Sequence, residues 1–201
     1  MRFAGRGTVR DFLWNFARAE FEIPPSGPRH TQPEIAAELR GRILRGERES
    51  LSPTDWRRLH EAVVSTRSTI VNPVIALVRE WFLGEITPSD LADLRVMNLR
   101  IFTSMVPSRR LVDFAKALDR GVFPRIWDPK HYRELRAHFD ISRMHGAPIL
   151  VGERPTGPFT VIEGTTRLSV ATSMRDLGEL GWATLPVVAG VGAGIAGWEW
   201  Y

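Results

Sequence analysis

The spacing of apolar residues changes near Gly121, and this change limits the folds that the chain can adopt. Before it, residues 31–120 repeat apolar side chains three and four positions apart, which is the spacing of one face of a helix. After it, short apolar runs alternate with turn residues, which is typical of strands. The pattern predicts an α+β fold, with a helical N-terminal region followed by a small mixed sheet with helices.

The helical region carries repeated helix-start signals. Each offers a capping side chain, a proline in the first turn and an early acid: Thr31-Gln32-Pro33-Glu34, Ser52-Pro53-Thr54-Asp55 and Thr87-Pro88-Ser89-Asp90. Proline costs little there because its missing N–H would lack a helical partner anyway, and the carboxylate favours the positive helix end. Apolar stripes follow these starts: Trp56, Leu59, Val63 and Val64; Val71, Ile75, Val78 and Phe82; and Leu111, Phe114, Ala115 and Leu118.

The chain divides into three predicted segments. Residues 21–28 are rich in proline and glycine and indicate a linker or an extended arm. They separate a short amphipathic segment, residues 9–19, from the helical region. We therefore expect an N-terminal arm over residues 1–30, a helical region over 31–120 and a second domain over 121–201.

Strands and helices alternate in that second domain. Residues 122–127, 148–151, 159–162 and 185–189 are apolar runs that predict strands. Asp128-Pro129 predicts the start of a helix that ends near Phe139. Thr165 or Thr166 predicts the start of another that ends near Leu177.

Composition narrows the functional classes. The chain has no cysteine, which excludes disulfides and thiolate catalysis and fits a cytoplasmic setting. No stretch approaches the roughly 18 consecutive apolar residues of a membrane helix. Residues 1–120 carry 19 basic and 15 acidic side chains, whereas residues 121–201 carry eight of each. The surplus indicates an acidic partner for the arginine-rich helical region.

The most informative local pattern is the turn Glu163-Gly164-Thr165-Thr166-Arg167 between a predicted strand and helix. The first N–H groups of a helix lack internal partners and, with the helix dipole, favour an anion. Two threonine hydroxyls and an arginine fork add donors. Glu163 could hold a metal ion, a ribose hydroxyl or a substrate proton. The alternative is structural, with the threonines capping the helix and Arg167 pairing with Glu163 in solvent.

Three apolar stretches around this turn resemble the ParB/sulfiredoxin superfamily. They are Ala147-Pro148-Ile149-Leu150-Val151, residues 159–171 with the motif EGTTRLSVA, and Leu185-Pro186-Val187-Val188. The resemblance covers about residues 121–191 and implies a ParB-like nucleotide-binding fold. It further implies that Gly164, Thr165, Thr166 and Arg167 contact the phosphates of ATP or another nucleoside triphosphate, with Mg²⁺ present.

The motif also departs from the superfamily. Sulfiredoxins have cysteine where Thr165 stands, so sulfinic-acid reductase activity is excluded. Kinases of this fold usually have histidine, and partition proteins a second arginine, where Thr166 stands. In some superfamily kinases an acid near the first strand is the general base. Asp128 is the candidate here, although it is also a good N-cap before Pro129.

Two functional interpretations follow. The first is an ATP-dependent phosphotransferase or nucleotide hydrolase, with Glu163 and Asp128 as candidate catalytic residues. The second is a nucleotide-gated module without turnover, in which the helical region binds DNA or a protein. A nuclease is a weaker alternative, because the carboxylate cluster that such chemistry needs is not visible in the sequence.

Overall fold

The computed structural model describes residues 1–22, 35–125, 127–141, 144 and 146–201. The strands of this part are β1 (Arg2–Gly7), β2 (Glu80–Ile86), β3 (Leu94–Val96), β4 (Ile149–Gly152), β5 (Phe159–Glu163) and β6 (Leu185–Val191). The helices are α1 (Val9–Glu22), α2 (Ala37–Leu44), α3 (Pro53–Leu77), α4 (Arg100–Thr103), α5 (Leu111–Asp119), α6 (Pro129–Ala137) and α7 (Thr165–Asp176).

The six strands form one mixed sheet in the order β1-β2-β6-β4-β5-β3. β4 runs parallel to β6 and β3 runs parallel to β5, whereas the other neighbours are antiparallel. All four residues of β4 are buried, as are residues 159–162 of β5. Since alternate side chains of a strand point to opposite faces, both faces of the sheet are covered at its centre. The α+β fold class is confirmed.

The sheet takes strands from all three predicted segments. β1 belongs to the predicted arm and β2 and β3 to the predicted helical region, yet they share a sheet with β4, β5 and β6. The described part of the arm is thus integrated into the fold. α1 packs against α2, α3, β4 and β6, and Phe12 and Phe16 on it are buried.

Several predicted elements are confirmed. The helix start predicted at Ser52 is a capping box. Ser52 Oγ accepts from the Asp55 N–H at 3.2 Å, and Asp55 Oδ2 accepts from the Ser52 N–H at 3.0 Å. The stripe of α5 is buried, and the strands predicted at 148–151, 159–162 and 185–189 match β4, β5 and β6. The predicted linker over residues 21–28 was wrong at its start, because Phe21 and Glu22 belong to α1 and Phe21 is buried. Its remaining residues, 23–28, and the helix start predicted at Thr31-Gln32-Pro33-Glu34 lie outside the described residues.

The helical interpretation of residues 78–96 was wrong. Val78 has extended backbone after α3, and Phe82 lies in β2, which pairs with β1 on one side and β6 on the other. Two strand partners outweigh a local three-to-four spacing. At Thr87-Pro88-Ser89-Asp90 the carboxylate of Asp90 accepts from the Thr87 N–H, but the turn leads only into a short 3₁₀ helix (Asp90–Asp93) before β3.

The strand expected over residues 122–127 is also absent from its described part, residues 122–125 and 127. The Val122 N–H turns back to Ala117 O at 3.0 Å, and the Trp127 N–H turns back to Pro124 O at 2.9 Å. Of these residues, Val122 is exposed, whereas Trp127 anchors the loop. The Trp127 ring packs edge-on against those of Phe102 and Phe114.

The C-terminal aromatic residues, Trp200 and Tyr201, close the far edge of the sheet. Asn98, just after β3, donates its backbone N–H to Trp200 O at 2.9 Å. The Tyr201 hydroxyl donates to Pro158 O at 2.8 Å. Among the helices of the described residues, none combines the length and apolar character needed to span a membrane.

Candidate functional site

The turn between β5 and α7 has the geometry that the sequence predicts. β5 ends at Glu163, and Gly164 adopts a left-handed conformation with φ 91° and ψ 12° before α7 begins at Thr165. A side chain on Gly164 would place its Cβ 3.1 Å from Pro148 Cβ. Positive φ and this close approach both favour glycine here, so the chain can turn tightly against β4.

The first turn of α7 presents unsatisfied backbone donors. No side chain caps the helix, so the two threonines do not act as the N-caps of the structural alternative. The Thr165 and Thr166 N–H groups have no acceptor in the described part of the chain. Thr165 is buried, whereas Thr166 remains partly exposed. An anion reaching this end would meet two backbone donors and the positive end of a 12-residue helix.

Arg167 points to protein acceptors. Its Nη1 donates to Gly146 O at 2.7 Å, and its Nη2 lies 3.4 Å from Glu163 Oε1. Only 8% of Arg167 is exposed. The pair with Glu163 anticipated by the structural alternative therefore forms, but it is largely shielded from solvent, with 20% of the Glu163 side chain exposed. The guanidinium therefore stabilises the turn through its contacts with Gly146 and Glu163.

Glu163, which is itself partly exposed, belongs to a larger and mostly buried charge cluster. Its Oε1 also accepts from the Gly164 N–H at 2.7 Å. Burial raises the pKa of Glu163, the Arg167 guanidinium opposes that rise, and the nearby carboxylate of Glu20 adds to it. The pKa of Glu163 therefore depends on three charged neighbours. Arg167 and Arg67 lower it, and Glu20 raises it.

The second half of this cluster joins α1 to α3. Arg67 Nε and Nη2 donate to the two carboxylate oxygens of Glu20, both at 3.0 Å. Glu20 is 6% exposed, and burial raises its pKa while Arg67 opposes the rise. Arg67 also has non-helical backbone angles, φ −131° and ψ 34°, and divides α3 into two segments.

A local competition explains the break at Arg67. The Ser65 and Thr66 hydroxyls both donate to Ala62 O, at 2.8 and 3.0 Å. Such side-chain bonds to the preceding turn compete with the helical ladder and bend helices. The bend accompanies the fork between Arg67 and Glu20, which ties α3 to α1 beside the turn.

α1 also contacts the chain that leads into β4. Asn15 Oδ1 accepts from the Ala147 N–H at 2.7 Å. A Cβ on Gly146 would lie 2.4 Å from Asn15 O, so the two backbones are in close contact. Because Gly146 O also accepts from Arg167, α1 forms a wall of the site. Sequence reasoning missed this contribution.

A signal for part of the cluster was present in the sequence. Glu20 continues the four-residue spacing of Phe12 and Phe16 on the buried face of α1. Arg67 interrupts the buried series Leu59, Val63 and Val71 on α3. A charged residue in an apolar stripe predicts a buried partner, because an unpaired buried charge is very costly.

Asp128 has a different position from the one expected of a catalytic base. Its Oδ1 accepts from the Lys130 N–H at 2.8 Å and caps α6. No hydrogen bond or ion pair between described residues joins it to Glu163 or Arg167. The capping alternative accounts for this residue.

The residues at the turn do not fit the Mg²⁺ that the resemblance implies. Magnesium in nucleotide sites usually takes one or two carboxylates besides phosphate. Here Glu163 Oε1 already accepts from Gly164 and faces Arg167. Across the described stretches, no three histidine, aspartate or glutamate side chains are grouped so that they could hold a metal ion.

Comparison with protein-family models, curated proteins and solved structures gave no significant match. The similarity to the ParB/sulfiredoxin superfamily stays a prediction from the motif around residues 163–171. The site must be judged by its own geometry.

Proposed function

We propose that this protein binds a nucleoside triphosphate, such as ATP, with its phosphate groups at the N-terminus of α7. One observation carries the proposal: Gly164 turns the chain so that the N–H groups of Thr165 and Thr166 lack acceptors at a partly open helix end. Backbone donors of this kind, together with the helix dipole, are what phosphate requires. The motif's resemblance to ParB/sulfiredoxin proteins supports a nucleotide as the source of the phosphate.

The geometry favours binding without turnover over phosphoryl transfer. Phosphoryl transfer requires a group that orients the nucleophile and cations that neutralise the charge of the phosphate. Of the two predicted catalytic acids, Glu163 is bonded to Gly164 and Arg167, and Asp128 caps α6. A nucleotide-gated module therefore fits these residues better than a kinase, hydrolase or nuclease.

The buried cluster supplies a physical route for gating. A phosphate at Thr165 and Thr166 adds negative charge close to Glu163, whose ionised form is already disfavoured by burial. That charge shifts Glu163 towards its protonated form and weakens its attraction for Arg167. The effect reaches α1 and α3 through Glu20 and Arg67.

A thermal-shift comparison tests the binding proposal. At a concentration of 100 Kd, a nucleotide stabilises the folded protein by about 2.7 kcal/mol, which raises the melting temperature of a chain of this size by roughly 5–10 °C. ATP, ADP, CTP and GTP are screened with and without Mg²⁺. We expect at least one to give this shift, and no shift with any of them contradicts the proposal.

Thr166→Glu is the informative variant. A carboxylate in the first turn of α7 favours the helix dipole, so the fold is retained, but it repels phosphate. Thr54→Glu is the matched control because Thr54 is exposed and occupies the same second position of α3. We expect Thr166→Glu to abolish the nucleotide shift and Thr54→Glu to keep it. Equal shifts in the two variants would place the nucleotide elsewhere.

A further inference from the structure

Unpaired positive charge is concentrated in one part of the chain. Residues 94–125 contain seven basic and two acidic side chains, a surplus larger than the +4 of the whole protein. Asp119 is already paired with Arg136. Asp113 accepts from the neutral Ser108 hydroxyl at 2.7 Å, which does not offset its charge. Asp113 is thus the one carboxylate of residues 94–125 left to balance the arginines and the lysine of this surface.

Two adjoining cavities lie on this surface. One, of about 590 Å³, is lined by α4 and by the loop that follows α5. The other, of about 370 Å³, lies between the chain after α4 and one face of α5. Met105 lines both, so the two cavities adjoin. We call the pair the basic groove. It is lined by Arg100, Met105, Lys116, Arg120, Phe123 and Arg125, and by one carboxylate, that of Asp113.

The four groove cations are exposed and keep donor groups for a ligand, although Arg120 Nε donates to Lys116 O at 3.2 Å. Arg100, Lys116, Arg120 and Arg125 form no ion pair with any carboxylate of the described residues. Lys116 on α5 and Arg120 directly after its end line the same cavity. Four cations in the basic groove can bind a polymer that carries a negative charge at regular intervals.

The floor of the groove adds an apolar and aromatic element. Met105 and Phe123 are partly buried and line the larger cavity. The Phe123 ring lies edge-on to that of Tyr132, with centroids 5.6 Å apart, so its orientation is fixed by packing. A basic groove that contains an aromatic side chain is typical of sites that bind single-stranded nucleic acid. In such sites the phosphates contact cations and the bases stack on aromatic rings.

We propose that the basic groove binds single-stranded nucleic acid, with phosphates on the four cations and a base against Phe123. An acidic peptide satisfies the cations but gains nothing from the aromatic floor, and a rigid duplex cannot turn a base towards Phe123. None of the residues 163–167 lines the groove. The proposal is therefore independent of nucleotide binding at α7.

Fluorescence anisotropy tests this proposal. The probe is a labelled mixed-sequence DNA or RNA strand of about twelve nucleotides, within the site sizes known for such grooves. For four phosphate contacts, the logarithm of the binding constant should fall with the logarithm of salt concentration with a slope of about −3. Absence of binding at low salt overturns the proposal. Tighter binding of a duplex, or equal binding of polyglutamate, overturns the assignment to a single strand.

Charge-reversal variants locate the site. Lys116→Glu combined with Arg120→Glu should weaken binding at least tenfold and reduce the steepness of the salt slope by about 1.4, because two phosphate contacts are lost. The matched control is Arg57→Glu with Arg58→Glu, an exposed pair on α3 that should leave the slope unchanged. An equal loss in both pairs indicates only general attraction to a basic protein and overturns the groove assignment.

Phe123→Ala separates stacking from charge. Loss of one stacked base costs about tenfold in affinity without changing the salt slope, since no cation is removed. Unchanged affinity in a variant that keeps its melting temperature shows that no base stacks there and overturns that part of the proposal. Phe123→Tyr should restore binding.

Discussion

The turn at α7 and the basic groove use arginine in opposite ways. At the turn, Arg167 and the neighbouring Arg67 are bonded to protein acceptors and support buried carboxylates. In the groove, Arg100 and Arg125 have no carboxylate partner among the described residues. The comparison teaches that an arginine in a phosphate-binding motif can belong to the scaffold, while the backbone supplies the donors. Cations available to an external ligand lie on another surface.

The largest expected contrast is in stability. Arg67→Ala removes the two-bond fork to the buried carboxylate of Glu20, and breaking a buried pair of this kind costs about 3–5 kcal/mol. Arg167→Ala should act in the same direction through Glu163. Arg100→Ala, on an exposed side chain, should change the unfolding free energy by no more than about 0.5 kcal/mol. Urea denaturation measures all three.

A double variant sharpens the stability comparison. Glu20→Leu combined with Arg67→Met replaces the buried pair by apolar groups and should recover much of the loss of Arg67→Ala. If Arg67→Ala is as stable as Arg100→Ala, the buried cluster does not support the fold and the contrast fails.

The next prediction concerns pH. The pKa of Glu163 is raised in the folded state by burial, so the folded protein binds the proton more tightly than the unfolded chain does. The contribution of Glu163 to the free energy of unfolding is fully present below the ordinary carboxyl pKa of about 4.5. It is lost as the pH rises through the raised pKa of Glu163 in the folded protein. The unfolding free energy of the natural protein, minus that of Glu163→Gln, should fall over this range.

Subtraction removes the carboxyl groups that do not interact with Glu163, while the coupled carboxyl of Glu20 contributes in the same direction. Burial alone would raise the pKa values of Asp11 and Asp90, but hydrogen bonds and nearby positive charges lower them overall. These two groups therefore give the opposite pH dependence. They are present in both proteins and cancel in the difference. A difference that stays flat from pH 4 to pH 8 contradicts a strained carboxylate at the turn.

The smallest effect is expected at Asp128. Asp128→Ala removes the cap of α6 and should cost about 1 kcal/mol. Asp128→Asn keeps an oxygen acceptor and should cost much less. Neither variant should change nucleotide binding. If Asp128→Asn keeps the stability but lowers any measured nucleotide turnover, Asp128 has the catalytic role that its position does not suggest.

Local signals predicted the elements that depend on neighbouring residues. The capping box at Ser52, the strand–turn–helix around Gly164 and the buried strands β4 and β6 follow from short patterns. In each case a few adjacent residues contain the whole physical cause. Local chemistry therefore gave the position of the candidate site.

Long-range contacts explain what sequence patterns missed. β2 is a strand because it pairs with β1 and β6, which lie far from it along the chain. The partner of Arg67 is Glu20, 47 residues earlier. The spacing within one helix shows that each charge needs a buried partner but does not identify it. The direction of Arg167, towards Gly146 O, depends in the same way on a distant loop.

The most direct test of the central claim is a backbone NMR titration with the nucleotide that gives the largest thermal shift. The account predicts saturable changes at the amides of Thr165 and Thr166, with smaller changes near Glu20 and Arg67. The amides of Lys116 and Arg120 should remain unchanged. Changes confined to the basic groove, with Thr165 and Thr166 unaffected, would contradict phosphate binding at α7 and assign the nucleotide to the groove.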